Sequence, residues 1–344
     1  RVAVDTLTGA LASVVWKPRG AELVDRSARH GLGEYLYVAG TDSARATGVS
    51  GVRVEVRETG PLVASLAVWA TAPGARALLR EVGVVQGVDR VDLTAVVDKL
   101  SVREKEAVHF AFPFLVPGGE VHFDVASGIV RPDSEQLRGS ARNFVDVQSW
   151  ADVSNDSLGV TWATPSAPLV EVGGIFAELP WMRSIPRTET LLSYAMNNYW
   201  HTNFKADQGG PAGFVYALRP HGPFRPDDAV RFGAERRSPL VVAPARGPAV
   251  PAPLFTLASS AAAAAGAGVP EPVVATSVRP TSDGHGWLIA LSNPSGEERE
   301  VRFAWRRGER VRLRLSDSAE AAGAPLAGPV ALAAHATAIV RADP

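Results

Sequence analysis

Asn197, Asn198, Trp200, His201 and Asn203 fall within seven residues of one another in the stretch LLSYAMNNYWHTNFKADQGGPAGFVYALRPHG (Leu191 to Gly222). An amide offers donors and an acceptor, and an indole offers a flat apolar face with one N–H. Such a group can hold a sugar ring or seal a seam between domains. A second concentration lies in VRPDSEQLRGSARNFVDVQSW (Val130 to Trp150), where Arg131, Asp133, Gln136, Arg142 and Asn143 supply forked donors and acceptors on a loop. Loops of this kind reach ring hydroxyls, or fold back into Arg–carboxylate pairs of their own. His122-Phe123-Asp124 has the two-residue spacing that sets both side chains on one side of a strand, but zinc needs three or four ligands and no third stands nearby. The expectation is a solvent-side pair beside the Gly118-Gly119 turn. His109 with Glu178 would make an acid and base across a ring oxygen, if the fold joined them.

The surrounding sequence has no Gly-x-Ser-x-Gly elbow, Walker loop, His-Glu-x-x-His or Gly-x-Gly-x-x-Gly after a strand. No cysteine is present, which excludes disulfides, a thiolate nucleophile and cysteine-ligated zinc. The 344 residues, 46% hydrophobic and 21% charged, are globular in character and exceed the length one core usually serves. A net charge of −1 supplies no field for nucleic acid. The longest near-apolar run, Ser259 to Val269, is too short for a bilayer, so neither nucleic acid nor membrane is an expected partner. RVAVDTLTG opens without Met or leader, as in a piece of a longer chain. Arginines outnumber lysines 31 to 4 among 35 basic residues, which suggests a GC-rich bacterial genome, with the cytoplasm as the expected compartment.

The elements that must position these residues are strands. Val52, Val54 and Val56 alternate with charged residues, and similar runs occur at Arg1–Val4, Leu62–Ala70, Arg90–Val97, Val108–Phe112, Gly159–Ala163, Gly213–Leu218, Trp287–Leu291, Val301–Trp305 and Arg310–Leu315. Turn signals such as Pro117-Gly118-Gly119, Gly209-Gly210-Pro211 and Pro294-Ser295-Gly296 separate them. No window sustains a helical repeat, so antiparallel sheets packed as sandwiches are expected. Composition marks a boundary: residues 242–272 are rich in Pro, Ala and Gly and read as a linker. That divides the chain into a large β domain over 1–241 and a small sandwich over 273–344.

Three separated stretches carry a resemblance: DVSNDSLGVTWATPSAPLVEVGG (Asp152 to Gly174), SYAMNNYWHTNFKADQGGPAGFVYALRPH (Ser193 to His221) and VVATSVRPTSDGHGWLIALSNPSGE (Val273 to Glu297). In this order they resemble the C-terminal half of glycoside hydrolase family 38, the α-mannosidases. TGALASVVWKPRGAELVD (Thr8 to Asp25), GEYLYV, HFAFPF and IVRPDSEQL are similar to its bacterial branch. The resemblance implies an all-β chain, a large antiparallel supersandwich of galactose mutarotase-like fold followed by a smaller C-terminal β-sandwich. It also implies a catalytic α/β barrel of the same polypeptide as partner, which holds zinc and the nucleophile and has no counterpart here. No catalytic residue and no cofactor of this fragment follow from it. A mannose-containing glycan and, since such enzymes are often oligomeric, a second copy of the chain are the further partners implied. A stand-alone carbohydrate-binding or mutarotase-like sandwich is the alternative.

Overall fold

The computed structural model describes residues 1–126, 128–176, 180–200, 205–240, 244, 247, 253–259, 273–305 and 311–343. The chain is all-β and divides into two compact units. Arg1–Val125 with Val130–Phe224 forms the first, and Ala126–Ile129 with Arg225–Pro344 forms the second.

In the first unit a large antiparallel sheet runs in the order Glu120–Val125, Trp150–Ser154, Gly159–Ala163, Gly210–His221, Val91–Lys99, Ala75–Val85, Val63–Thr71, Ser50–Thr59. A five-stranded sheet runs Val145–Asp146, Leu169–Val172, Thr190–Asn197, Glu106–Pro113, Glu34–Ala39. The two face each other because each strand sends alternate residues inward. Phe110 and Phe112 from the smaller sheet meet Trp162 and Tyr216 from the larger, with Phe112 at 4.4 Å from Trp162 and 5.1 Å from Tyr216. Ser193 and Tyr216 join hydroxyls across the gap at 2.8 Å, so these two buried hydroxyls satisfy each other. Every residue of Glu106–Pro113 is buried, which means that the outer face of the smaller sheet is covered as well.

The second unit holds a helix, Pro226–Arg237, and two sheets. Phe255–Ser259, Arg299–Trp305 and Val330–Leu332 form one; Val274–Pro280, Trp287–Ser292, Thr337–Asp343, Arg312–Ser316 and Pro325–Leu326 form the other. Ile289, Leu291, Val301, Val330, Leu332 and Val340 are its core.

Several expectations meet a different structure. Phe255–Ser259 is a strand inside the stretch read as a linker, since Phe255 and Leu257 alternate with small residues and pack on the core of the second unit. The compact units part at Phe224 rather than near residue 241, because the helix Pro226–Arg237 contacts the strand Val274–Pro280. That helix has little apolar surface. Its signals are a Pro in the first turn, Asp227 and Asp228 beside the positive end of the dipole, and Arg236 and Arg237 beside the negative end. Gly210 and Pro211, read as a turn, instead begin a strand and pair with Lys99 and Asp98. Val56 is exposed rather than inward, on an edge strand whose register shifts just after it. No helix among the described residues is long and apolar enough to cross a membrane.

Candidate functional site

Of the residues singled out in the Val130–Trp150 stretch, Gln136, Asp133 and Arg142 are linked by hydrogen bonds beside Asn143, which is 1% exposed. Its amide nitrogen donates to Phe176 O and, at 3.4 Å, to Pro180 O, and its oxygen accepts from Met182 N at 2.9 Å. Asp133 adds a second tether: one carboxylate oxygen takes Arg142 Nε at 2.6 Å and the other takes Ile185 N at 2.9 Å. Its backbone sits at φ 62°, a conformation costly for a non-glycine residue, held by these bonds and by its own N–H donating to Gln136 Oε1 at 3.0 Å. Arg131 forks onto Glu135 with bonds of 3.0 and 2.8 Å. These bonds run within the loop and to Phe176, Pro180, Met182 and Ile185.

One consequence was not visible in the sequence. Pro180 and Met182, on either side of Trp181, are both bonded to one buried amide, while the Trp181 indole is 61% exposed. The backbone beside that ring is thus tied to Asn143, firmly at Met182 N and only weakly at Pro180 O. Phe144, next to Asn143, packs on Trp200 at 5.6 Å, and Tyr194 meets Trp200 edge-on at 6.2 Å. Trp200 is 37% exposed. The dipeptide Asn143-Phe144 therefore supports two tryptophans that both reach solvent. In the sequence Trp181 stands among Leu179, Pro180 and Met182, so nothing local marked its ring as exposed.

The amides of the second stretch have local duties. Asn198 accepts from Glu106 N at 2.6 Å and donates to Val102 O at 2.9 Å and Glu104 O at 2.7 Å, fixing the loop that leads into the Glu106–Pro113 strand. Asn197 accepts from Tyr199 N at 3.2 Å, and buried Tyr199 donates to Gly40 O at 2.9 Å. His201 and Asn203 lie outside the described residues, as does Glu178.

Beneath this surface, His109 and Glu171 are both 0% exposed, with His109 Nε2 3.0 Å from Glu171 Oε2. The contact is off the line of a hydrogen bond, and neither His109 nitrogen has an aligned partner. Glu171 is held by Phe176 N at 2.7 Å, and Tyr194 stacks on the imidazole at 4.7 Å. His109 is therefore opposite Glu171, and at this distance the two leave no room for a pyranose between them.

His122 and Asp124 do share a strand face, where both are half-buried rather than open to solvent. His122 stacks on Phe224 at 4.0 Å, Asp124 accepts from the Ser149 hydroxyl at 2.7 Å, and burial holds the His122 imidazole below its ordinary range. Among the described residues no three His, Asp or Glu side chains stand together as a metal site, so they do not fit zinc. The Asn143 cluster sets aromatic faces beside a carboxylate, Asp133, that is already engaged by Arg142 and Ile185.

No family model and no curated protein matches the sequence. Solved structures do. An α-mannosidase from Enterococcus faecalis V583 superposes with a TM-score of 0.69 at 13% identity, over 99% of this chain and 41% of its own. A protein in glycosyl hydrolase family 38 from Enterococcus faecalis gives 0.70 at 14% identity, over 99% and 42%. A galactose mutarotase related enzyme from Lactobacillus acidophilus overlaps at a TM-score of only 0.34, with 9% identity. The chain has the fold of a part of the family 38 structures and spans about two fifths of their length.

Proposed function

We propose that this chain is the non-catalytic β portion of a zinc-dependent, retaining α-mannosidase of glycoside hydrolase family 38. It braces a catalytic barrel of the same polypeptide and lends the Trp181–Trp200 surface to the wall of the sugar cleft. The observation that carries this reading is the superposition on two such proteins over 99% of the chain. The chemistry of the described residues supports it. Glycoside hydrolysis needs two carboxyls free to flank a glycosidic bond. Asp133 is bound by Arg142 and Ile185, and Glu171 is buried beside His109, so neither is free. In this reading zinc and nucleophile belong to the barrel. Indoles beside tethered backbone suit the flat face of a mannose-containing glycan, because a support already held loses less conformational entropy on binding.

The test compares this chain with a version of the polypeptide that includes the barrel, using an activated aryl α-mannoside and added zinc. The expected result is turnover by the longer protein only. Turnover by the 344-residue chain that survives removal of trace contaminants overturns the reading. In the longer protein, Trp181→Ala is expected to raise KM several-fold with little change in kcat, as for loss of a contact made equally in ground and transition states.

A further inference from the structure

Away from that surface, the outer face of the large sheet buries a polar network. Asp152, 0% exposed, accepts three hydrogen bonds: Ser154 Oγ at 2.7 Å on one oxygen, Thr161 Oγ1 and His221 Nε2, both at 2.7 Å, on the other. The second ring nitrogen of His221, Nδ1, stands 2.9 Å from Gly222 O. Both nitrogens face groups that accept, so the arrangement is fully paired only when both carry a proton.

The geometry depends on a missing side chain. His122, Asp152, Thr161 and Arg219 lie side by side across four strands, and Glu120, Ser154, Gly159 and His221 form the parallel row two residues away. To reach Asp152, the imidazole crosses Gly159 diagonally. A Cβ there would overlap His221 Cε1 and stand 2.6 Å from Ser154 Cβ. The ring also fastens the residues just beyond it in the chain. Gly222 accepts from it, and Phe224, the last residue of the first unit, stacks on His122 at 4.0 Å and stands 6.2 Å from Trp150.

We propose that His221 and Asp152 form a charge-dependent latch, which fastens the segment Gly222–Phe224 to the large sheet while the imidazole is protonated and loosens it when that proton passes to solvent. A neutral imidazole has one N–H. Whichever nitrogen gives up its proton then points a lone pair at the Asp152 carboxylate or at Gly222 O, and an attraction becomes a repulsion. Three other cationic or titratable groups stand near the pair. His122, next to Asp152, is held below its ordinary range by burial against the pull of Asp152 and Glu120. Arg219 lies across Thr161 on the strand of His221 itself, and Arg19 lies beside Gly222 with its guanidinium donating to Ser157 O. Burial alone would lower the His221 value. The hydrogen bond and charge of Asp152, with the Gly222 and Pro223 carbonyls, outweigh it, and His221 titrates above its usual 6.5. The latch is therefore complete below about pH 6.5 and is lost as pH rises through the folded-state value.

The experiment follows the nuclear Overhauser contact between the Phe224 and Trp150 rings in the full protein from about pH 6 to about pH 9. In the wild type, that contact is expected to weaken several-fold across the His221 titration. His221→Gln and Asp152→Asn should show a weak contact without that pH dependence. Gly159→Ala should do the same while leaving every titratable group in place. A contact in the wild type that does not vary with pH overturns the latch, as does an unchanged pH profile in His221→Gln. If Asp152→Asn fails to fold, His221→Gln and Gly159→Ala still decide the matter.

Discussion

Replacing Asn143 tests whether the loop surface is built as described. Asn143→Ala removes the acceptor of Met182 N and the donor to Phe176 O, while the bond to Pro180 O is long and that residue is exposed, so water replaces it. Two effective bonds at about 1 kcal/mol each, and some further cost for leaving half-buried partners unpaired, give a loss of about 2–3 kcal/mol. For a unit of this size that corresponds to a fall in melting temperature of roughly 5–10 °C. Asn143→Asp separates the two tethers. Its carboxylate still accepts from Met182 N but has nothing to donate to Phe176 O, and it sets an oxygen against that carbonyl. Thermal denaturation measures the total, and exchange of the Met182 amide reads one bond alone. That amide should lose protection in Asn143→Ala and keep it in Asn143→Asp. Melting of both variants within about 0.5 kcal/mol of the wild type would refute the view that one buried amide anchors the Trp181 segment.

Other contacts give outcomes of the same kind. Lys99 and Glu106 form a buried ion pair, joined by the Tyr37 hydroxyl donating to Glu106 at 2.6 Å, so Lys99→Met strands a carboxylate and should cost about 3–5 kcal/mol in chemical denaturation. A loss under about 1 kcal/mol would show that solvent reaches the pair. For Glu22, burial opposes ionisation, but Ser13, Val14, Val24 and Leu23 donate to the carboxylate and hold its pKa below the usual 4.5. Its stabilisation is thus present above about pH 4.5 and lost as pH falls through the depressed value. The stability gap between wild type and Glu22→Gln, measured by urea denaturation, should therefore shrink in acid; a gap that widens contradicts the assignment. Trp200 is partly exposed while Tyr199 beside it is buried and bonded to Gly40 O, so Tyr199→Ala should lower the melting temperature more than Trp200→Ala. The reverse order would place the anchor on Trp200.

The all-β architecture was legible because strand alternation is a local property. GVTWA, read as a strand from Gly159 to Ala163, forms one with those bounds. The strand Phe255–Ser259 and the helix Pro226–Arg237 were not, since composition masked the first and the second buries too narrow a face to write a repeat into the sequence. At the loop cluster, the sequence picked out Arg131, Asp133, Gln136, Arg142 and Asn143 by residue type, but type alone could not tell a hydroxyl-binding group from a tether. The tethering bonds of Asp133 and Asn143 cross to residues more than thirty positions away.

Local pattern thus determined that the chain is built of strands, roughly where they run, and which polar side chains stand close in sequence. Tertiary structure alone decided their partners. His109 meets Glu171 because the Thr190–Asn197 strand lies between their two strands and brings both residues to one outer face. His221 meets Asp152 because Gly159 leaves an opening across the sheet. Such pairings depend on strand order and register, which arise when distant segments choose the arrangement that buries their apolar faces together, and no window of sequence contains that choice.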